Sequence, residues 1–415
     1  MKRIAIIGAG ISGLTCARLL KRYFDVTVFE KEHEPGGLVR CRNVNGSLFH
    51  ICGGHVFNTK NHIVSKWFWS IFNRDKDFVL AKRHSAVCLD NGMFVDYPIE
   101  NHVYQLSPVI RKQIYAEIRQ LARMPSGPVN NFGDFLLKRF GETLYRMYFK
   151  PYNDKIWRCD LCTIPLDWLE GKLPMPTPSE ILAANESHSE ECDFVHSKFY
   201  YPRLGGSQFI VDTLAEGINI VYDAGVERVK MVNGLSRVFW RDGSDLFDHV
   251  VFCGNLNNLS EIVGVDLLRE SGLCSHGTTS VFCETSKIPY SWFYQPSPKH
   301  DSHRVICTGN FSERNNATGK NTCTIEFTGP KCSEEIMAQL RCMPYSPSYI
   351  THNYFKYTYP IQNASTRRMV LEIKNYLRGQ GISLVGRFAE WEYFNMDAAM
   401  YSAMCVAEEI IATKS

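Results

Sequence analysis

A glycine-rich turn near the start of the chain constrains the fold more than any other feature. Residues 3–7 form an apolar run typical of a buried parallel strand, and Gly8, Gly10 and Gly13 follow it with GxGxxG spacing. The first glycine permits a tight turn, the second leaves space for a pyrophosphate, and the third lets the next helix pack closely on the sheet. That helix would direct its first amide N–H groups at the phosphate. The pattern therefore predicts the first half of a dinucleotide-binding αβ unit.

The segment at the end of the second predicted strand favours FAD over NAD as the dinucleotide. That strand, residues 25–30, ends in Glu30, close to the position where an acid holds a ribose hydroxyl. Lys31 follows, and then a Gly-Gly turn with Gly37 and Leu38 and a basic residue shortly after it. This arrangement resembles the second FAD-contact segment of the glutathione-reductase-like flavoproteins. An ordinary surface turn is the alternative interpretation.

The composition is that of a globular protein with balanced charge. Hydrophobic residues make up 45% of the 415 residues, and 46 Lys and Arg against 43 Asp and Glu leave a formal net charge of +3. This balance indicates neither a nucleic-acid-binding protein nor an acidic tail. No apolar run reaches the length of a membrane span. Because a strand is predicted from the first residues onward, we expect no signal peptide and a cytoplasmic location.

The fifteen cysteines are scattered and odd in number, and we expect them to be reduced thiols. Cys159 and Cys162 form a CxxC pair, but no second pair follows at zinc-ligand spacing, so no metal site is predicted. A redox pair and two neutral thiols both remain open, with neutral thiols favoured.

The order of the predicted elements indicates an α/β protein with a discontinuous, Rossmann-like FAD-binding domain. A strand at residues 249–254 and a strand and helix at the end of the chain are predicted to return to the first sheet. We assign residues 1–78, 202–260 and 380–415 to the FAD-binding domain, 103–190 to a helical insertion, and 79–102 and 261–379 to an antiparallel β-sheet substrate domain.

Seven further motifs follow one another along the chain. They are Gly53-Gly54-His55-Val56-Phe57, residues 96–101 (DYPIEN), 151–157 (PYNDKIW), 201–206 (YPRLGG), 304–311 (RVICTGNF), Tyr359-Pro360 and 386–393 (GRFAEWEY). In content and order they resemble motifs of the flavin-dependent UDP-galactopyranose mutases, particularly the eukaryotic type, at low overall identity. The resemblance implies an isomerase that interconverts the pyranose and furanose forms of a nucleotide-diphosphate sugar, in cell-surface glycan biosynthesis.

The resemblance assigns roles to residues at matching positions. The catalytic set is His55, Lys172, Arg304, Tyr359 and Tyr393. The substrate-binding set is Tyr97, Ile99, Glu100, Asn101, Tyr152, Trp157 and Tyr294. The FAD-binding set is Gly8, Gly10, Ser12, Gly13, Glu30, Lys31, Gly37, Leu38, Gly53, Gly54, Val226, Gly386, Arg387, Tyr393 and Met396.

The chain departs from the family pattern at Lys172, which bears on phosphate binding. It also departs at Ile99 and Glu100 and at residues 395–397 near the flavin, and these two departures leave the substrate open. Lys172 stands where the family has its first arginine, which keeps the charge and loses the bidentate fork. Ile99 and Glu100 replace Phe-Gln in the segment along the nucleotide base, and an ionised Glu accepts hydrogen bonds without donating them. Glu100 would therefore suit a base with N–H groups, of which guanine has more than uracil. Both the base and the sugar remain undecided.

The implied reaction is redox-neutral and still requires reduced FAD. Flavin N5 displaces the diphosphate from the anomeric carbon to give an N5–sugar adduct, which opens to an iminium. The sugar ring recloses through a different hydroxyl, and the diphosphate then displaces the flavin. The last helix, from about residue 397, would direct its positive end at the reduced flavin. No second GxGxxG motif is present for NAD(P)H, which could still act as an external reductant. A homo-oligomer is left open.

Two other functions use the same cradle. An FAD-dependent oxidoreductase of the amine oxidase or protoporphyrinogen oxidase type would not need cationic and phenolic residues around a diphosphate. A non-catalytic flavin- or nucleotide-binding scaffold would be indicated by loss of the cradle glycines, and all three are intact.

Overall fold

The computed structural model describes residues 1–124, 127–166, 176–188, 197–264 and 273–413, which form 19 strands and 12 α-helices. The strands are β1 (Arg3–Ile7), β2 (Asp25–Phe29), β3 (Cys41–Val44), β4 (Ser47–His50), β5 (Phe78–Lys82), β6 (Ser85–Cys88), β7 (Phe94–Asp96), β8 (Lys198–Pro202), β9 (Asn219–Val221), β10 (Val226–Val232), β11 (Leu235–Trp240), β12 (Gly243–Phe247), β13 (His249–Phe252), β14 (Cys274–Glu284), β15 (Trp292–Tyr294), β16 (Ser302–Ile306), β17 (Thr322–Thr328), β18 (Ser348–Ile361) and β19 (Ile382–Leu384). The α-helices are α1 (Ile11–Leu20), α2 (His62–Ile71), α3 (Arg74–Asp77), α4 (Pro108–Arg123), α5 (Phe132–Leu144), α6 (Lys150–Trp157), α7 (Pro178–Ser187), α8 (Gly206–Ala215), α9 (Leu256–Val263), α10 (Ser333–Leu340), α11 (Thr366–Arg378) and α12 (Met396–Ala412).

A five-stranded parallel sheet carries the glycine-rich turn. Its order is β19-β13-β1-β2-β9, with Ile6 on β1 opposite Val251 on β13 and Val28 on β2. These strands are continuous apolar runs because both of their faces are covered. On one face, α1 and α12 share a core that includes Leu14 and Met400. The second face packs against the antiparallel sheet β10-β11-β12, whose Val229, Val238 and Phe247 share a core with Ala5 and Phe29. Strands from three distant parts of the sequence therefore build one sheet around the first turn.

The second large sheet has seven strands. Its order is β18-β14-β17-β16-β15-β6-β7, and every pair is antiparallel except β15 with β6. Ser280, Glu326, Arg304 and Tyr294 lie directly opposite one another on β14, β17, β16 and β15. Because directly opposite residues point to the same face, this register forms a polar row across the sheet.

Helices α4 to α7 pack around an apolar core of their own, which includes Ile114, Phe140 and Leu144. Inside α5 the backbone leaves the helical region at Gly141 (φ 82°). A π-helical turn, Tyr145–Phe149, then leads directly into α6. The helical character expected for this part of the chain is present in its described residues.

Two elements pack with other parts of the structure than the predicted domains to which their residues were assigned. Strand β5 pairs with β8 in a separate two-stranded sheet, rather than with the seven-stranded sheet. Helix α11 packs Val370, Ile373 and Leu377 into the core beneath β19. Its apolar residues recur at helical spacing, and the edge of the parallel sheet offers the apolar surface that buries them.

The predicted α/β class, with a Rossmann-like parallel sheet, helices and antiparallel sheets, is confirmed. No helix in the described ranges is long and apolar enough to cross a bilayer. Cys159 is half-buried and Cys162 exposed, and both are free thiols.

Candidate active site

The cradle at the carboxyl end of β1 is shaped mainly by backbone. Gly8 has a φ of 106° and donates its N–H to Phe29 O at 2.8 Å. A Cβ on Gly13 would lie 1.9 Å from Gly8 O, so helix and turn touch there. A Cβ on Gly10 would meet only Gly36 O, at 4.0 Å. Among the described residues the start of α1 has no side-chain cap, so its first N–H groups remain available as donors beside Gly10.

Glu30 closes the cradle at the end of β2. It is buried, and its carboxylate accepts N–H groups from Ala9 at 2.7 Å and from Glu32 at 3.1 Å. The Gly-Gly turn meets the first turn directly, since Gly36 N–H donates to Ala9 O at 2.9 Å. Lys31 is exposed, with its Nζ 3.5 Å from Glu32.

The other predicted cofactor residues lie around this cradle. Leu38 and Val226 both pack at the rim of the core under β2. Gly386 has a φ of 99°, and a Cβ there would lie 2.4 Å from Ser12 Oγ, so the turn after β19 touches the start of α1. Met396 is the first residue of α12, which also begins without a side-chain cap in the described part of the chain.

A buried carboxylate organises the face of the seven-stranded sheet. Glu326 accepts from Arg304 Nε at 2.7 Å, its Oε2 lies 2.6 Å from an Arg304 terminal nitrogen, and its Oε1 accepts the N–H of Gly53 at 2.7 Å. Burial opposes ionisation of Glu326, but Arg304 and His303 outweigh it and hold its pKa well below the ordinary value. One carboxylate therefore fixes both the Gly-Gly-His loop and the arginine.

Aromatic rings and a second arginine surround Arg304. The Tyr359 ring stacks with His276 (4.9 Å between centroids) and with Tyr393 (5.6 Å). Arg304 lies 3.5 Å from the Tyr359 hydroxyl, and the Arg387 guanidinium lies 4.3 Å from the Tyr393 ring centroid. Burial raises the pKa of Tyr359, so its hydroxyl keeps its proton at neutral pH.

The Gly53–His55 loop is held from two sides. Besides the Gly53 contact with Glu326, His55 N–H donates to Nδ1 of the buried His50 at 3.2 Å. Burial, with Arg387 and Arg304 nearby, lowers the pKa of His55 to about 4, so the imidazole is neutral. Its Nε2 is buried and has no hydrogen-bond partner among the residues that the structure describes.

Helix α6 is fastened to the β15–β16 hairpin. Lys155 Nζ donates to three backbone carbonyls, of Gln295 at 2.8 Å, Ser297 at 2.5 Å and Ser302 at 2.9 Å. This contact places Tyr152 of α6 against Tyr294, at 5.2 Å between ring centroids. Tyr97 lies 4.9 Å from Tyr294 on the same aromatic wall, and Trp157 lies 6.2 Å from Tyr359.

The structure brings most of the predicted catalytic and substrate residues together. Arg304, Tyr359, Tyr393 and Trp157 form one cluster, His55 is linked to it through Glu326, and Tyr97, Tyr152 and Tyr294 form the adjoining wall. Lys172 lies outside the described residues.

The predicted base-contact segment is more buried than expected. The Ile99 side chain has no exposed surface and packs in the core of the helical insertion, so it does not face an open pocket. Burial raises the pKa of Glu100 to about 7, so the expectation of a fully ionised carboxylate is wrong near neutral pH. The Oδ1 of Asn101 is buried and unpartnered within the described ranges.

Sequence analysis missed Glu326, although a signal was present. Glu326 is the one acid in the otherwise apolar and Thr-containing β17, all of whose residues are buried. Buried acids are rare unless they are paired, so such a residue indicates a cation nearby. Arg387 was predicted only as a cofactor residue, and it also lies against the tyrosine pair.

Comparisons with known proteins agree with this geometry. Residues 6–74 match the family model of an NAD(P)-binding Rossmann-like domain. The chain is 21% identical over 437 residues to the "Probable UDP-galactopyranose mutase" of Klebsiella pneumoniae, covering 99% of this chain and 95% of that protein. It is 30% identical over 188 residues to the dTDP-fucopyranose mutase of Escherichia coli, covering 42% of this chain and 46% of that protein.

Solved structures share the fold over the full length. A crystal structure of reduced UDP-galactopyranose mutase superposes with a TM-score of 0.88 at 20% identity, covering 100% of this chain and 94% of that one. A putrescine oxidase superposes less closely, with a TM-score of 0.67 at 15% identity and 99% coverage of both chains. The predicted resemblance to UDP-galactopyranose mutases is confirmed.

Proposed function

We propose that this protein is a flavin-dependent mutase that interconverts the pyranose and furanose forms of a nucleotide-diphosphate sugar. The observation that carries the proposal is Arg304, which is fixed by Glu326 beside two stacked tyrosines. The Glu326 side chain is 2% exposed and that of Arg304 is 21% exposed, so the arginine stays open to a ligand while its partner does not. Such a fixed guanidinium suits a diphosphate oxygen.

The cradle fits FAD. Gly10 leaves the space that a pyrophosphate needs, the uncapped start of α1 supplies N–H donors, and Glu30 lies where a ribose hydroxyl would bind. The uncapped start of α12 provides a second positive helix end for the anionic edge of a reduced flavin. We propose the FAD-binding residues named from the sequence on these grounds. Exposed Lys31 has the least support.

Reduced flavin, when bound, supplies the nucleophile for the anomeric carbon of the sugar. The residues of this chain bind and orient the leaving diphosphate. Arg304 donates its Nε–H to Glu326, and its other guanidinium N–H groups include donors for phosphate oxygens. The protonated Tyr359 hydroxyl and Tyr393 can donate beside it, and the neutral His55 adds no charge to the site.

The remaining residue assignments are also proposals. Lys172 would add a second cation to the diphosphate, and Tyr97, Glu100, Asn101, Tyr152, Trp157 and Tyr294 would bind the nucleotide and sugar. The named relatives act on UDP-galactopyranose and dTDP-fucopyranose, and a pyrimidine nucleotide is therefore our first candidate. Ile99 would act by packing and not by contact. We propose a cytoplasmic enzyme with NAD(P)H as external reductant.

The test is a panel of nucleotide sugars with FAD-loaded, dithionite-reduced protein, with ring forms separated by chromatography. We expect at least one pyranose substrate, such as UDP-galactose or dTDP-fucose, to yield its furanose. The Arg304→Met variant should retain FAD and lose turnover. Conversion by no member of the panel, with FAD bound and reduced, would contradict the proposal.

A further inference from the structure

Gln362, directly after β18, is a buried polar residue that the proposed mechanism does not use. It is 7% exposed and follows Tyr359, Pro360 and Ile361 in the chain. Two hydrogen bonds join this segment to the turn before α12: Gln362 Nε2 donates to Trp391 O at 2.7 Å, and Trp391 Nε1 donates to Ile361 O at 3.0 Å. Because Trp391 O can only accept, these contacts fix which end of the amide is the nitrogen.

The oxygen of this amide, Oε1, has no hydrogen-bond partner within the described ranges. Gln362 Oε1 is buried and accepts no hydrogen bond from any residue in the described part of the chain. An unsatisfied buried acceptor costs free energy, and such an atom beside a binding site is explained when a ligand supplies the donor.

Gln362 borders a small cavity at the candidate active site. The cavity has a volume of about 10 Å³ and is lined by Trp157, Ile164, Pro360, Ile361, Gln362 and Tyr393. This volume holds one water-sized group, such as a single hydroxyl. Trp157 and Tyr393 also belong to the cluster around Tyr359, so the cavity borders residues to which we assign substrate binding and catalysis.

We propose that Gln362 Oε1 accepts a hydrogen bond from one hydroxyl of the substrate sugar, and that Gln362 thereby selects sugars that carry this hydroxyl. The inference rests on the proposed function and deepens it. A site that hydrogen-bonds a hydroxyl rejects the analogue lacking it, because the acceptor is then left unpaired in a dry pocket. The rival occupant of the cavity is one resident water.

The experiment compares UDP-galactose with its 2-, 3- and 6-deoxy derivatives, using FAD-loaded, reduced protein and measuring both dissociation constants and kcat/KM. The 4-deoxy derivative lacks the hydroxyl that closes the furanose ring, so it is compared by its dissociation constant alone. In wild type, one derivative should lose about tenfold to a hundredfold in kcat/KM, while the others change less. In Gln362→Met, the kcat/KM for UDP-galactose should fall to the value that wild type has for that derivative. The variant should then no longer discriminate between the two sugars. In Gln362→Glu, a protonated carboxyl can donate to Trp391 O and still offer an oxygen, so part of the discrimination should return.

UDP without a sugar separates a sugar contact from a structural role. It should bind wild type and Gln362→Met equally, and Gln120→Met, at an exposed position on α4, should match wild type throughout. Equal weakening of UDP and UDP-galactose in Gln362→Met would overturn the inference, and so would a wild type that tolerates every deoxy derivative. If wild type converts no nucleotide sugar, the proposed function itself fails, which is a different result.

Discussion

The two sides of the candidate site are built in different ways. The cradle is formed by backbone, and its critical glycines lie within one short turn and helix start. The sheet face is formed by side chains that are distant in sequence: Glu326 binds Arg304 across 22 residues and Gly53 across 273. The cradle is therefore sensitive to added volume, and the sheet face is sensitive to lost charge.

The largest expected effect is on the cradle. Gly13→Ala places a methyl carbon 1.9 Å from the backbone oxygen of Gly8, and backbone cannot yield as a flexible side chain can. We expect loss of the folded state, or destabilisation by about 4 kcal/mol or more, together with loss of FAD. Urea denaturation and the flavin content of purified protein measure both.

Gly10→Ala is the matched control in the same turn. Its methyl would meet only Gly36 O at 4.0 Å, so the free energy of unfolding should change by less than about 1 kcal/mol. FAD affinity should still fall, because the methyl enters the space of the pyrophosphate. Unchanged FAD affinity in this variant would show that the cradle does not hold the pyrophosphate.

On the sheet face, Glu326→Gln should cost about 3 kcal/mol of stability, because it leaves the partly buried Arg304 without its counter-charge. The double variant Glu326→Leu with Arg304→Met should recover part of this loss, since no charge is then stranded. Chemical denaturation of the single and double variants measures the coupling. Independent, additive losses would show that the two residues are not paired.

The depressed pKa of Glu326 also gives this effect a pH dependence. Its ionised form stabilises the protein above the ordinary carboxyl pKa of about 4, and this contribution is lost as the pH falls toward the lower pKa of the folded state. We therefore expect the stability gap between wild type and Glu326→Gln to be full at pH 7 and to shrink on acidification.

Glu100 is a buried carboxyl whose contribution to stability changes with pH in the opposite direction. Since burial raises its pKa to about 7, its stabilising contribution is complete below the ordinary carboxyl pKa and is lost as the pH rises through about 7. Glu100→Gln should therefore be more stable than wild type at pH 8, by about 2–3 kcal/mol, and similar at pH 4. Thermal unfolding at the two pH values tests this, and a destabilised variant at pH 8 would contradict a carboxyl whose pKa is raised by burial.

The smallest effect is expected from Arg304→Lys. A lysine keeps the charge but replaces the planar fork by a single ammonium, so UDP affinity should fall by about tenfold with little change in stability. Titration calorimetry measures the affinity, and Arg237→Lys, at an exposed position on β11, is the control. Equal affinities in both variants would exclude a bidentate contact from Arg304.

The sequence predicted the cradle well because its signal is local. Gly8, Gly10, Gly13 and Glu30 lie within one strand-turn-helix-strand unit, where spacing alone determines which residues meet. Arg304 and the tyrosines were predicted from motif order, and the structure places them together. Their residue roles and the domain boundaries stay predictions.

The sequence could not predict how the strands pair or which way individual side chains point. The contact of Glu326 with Arg304 depends on the pairing of β16 with β17, which no local pattern specifies. Ile99 has the position of a base contact, yet the turn directs its side chain into the apolar core. Helix α11 is amphipathic in sequence, but only the folded chain shows which surface covers its apolar face.

The central claim is that one pocket holds a reduced flavin beside the diphosphate of a nucleotide sugar. The most direct measurement is an anaerobic comparison of FAD-loaded protein, oxidised and dithionite-reduced, each incubated with UDP-galactose and dTDP-fucose while spectra and ring forms are recorded. We predict furanose product from the reduced protein alone, and an oxidised flavin that keeps its colour. Bleaching of the oxidised flavin by substrate without ring interconversion, or a protein that cannot be loaded with FAD, would contradict the account.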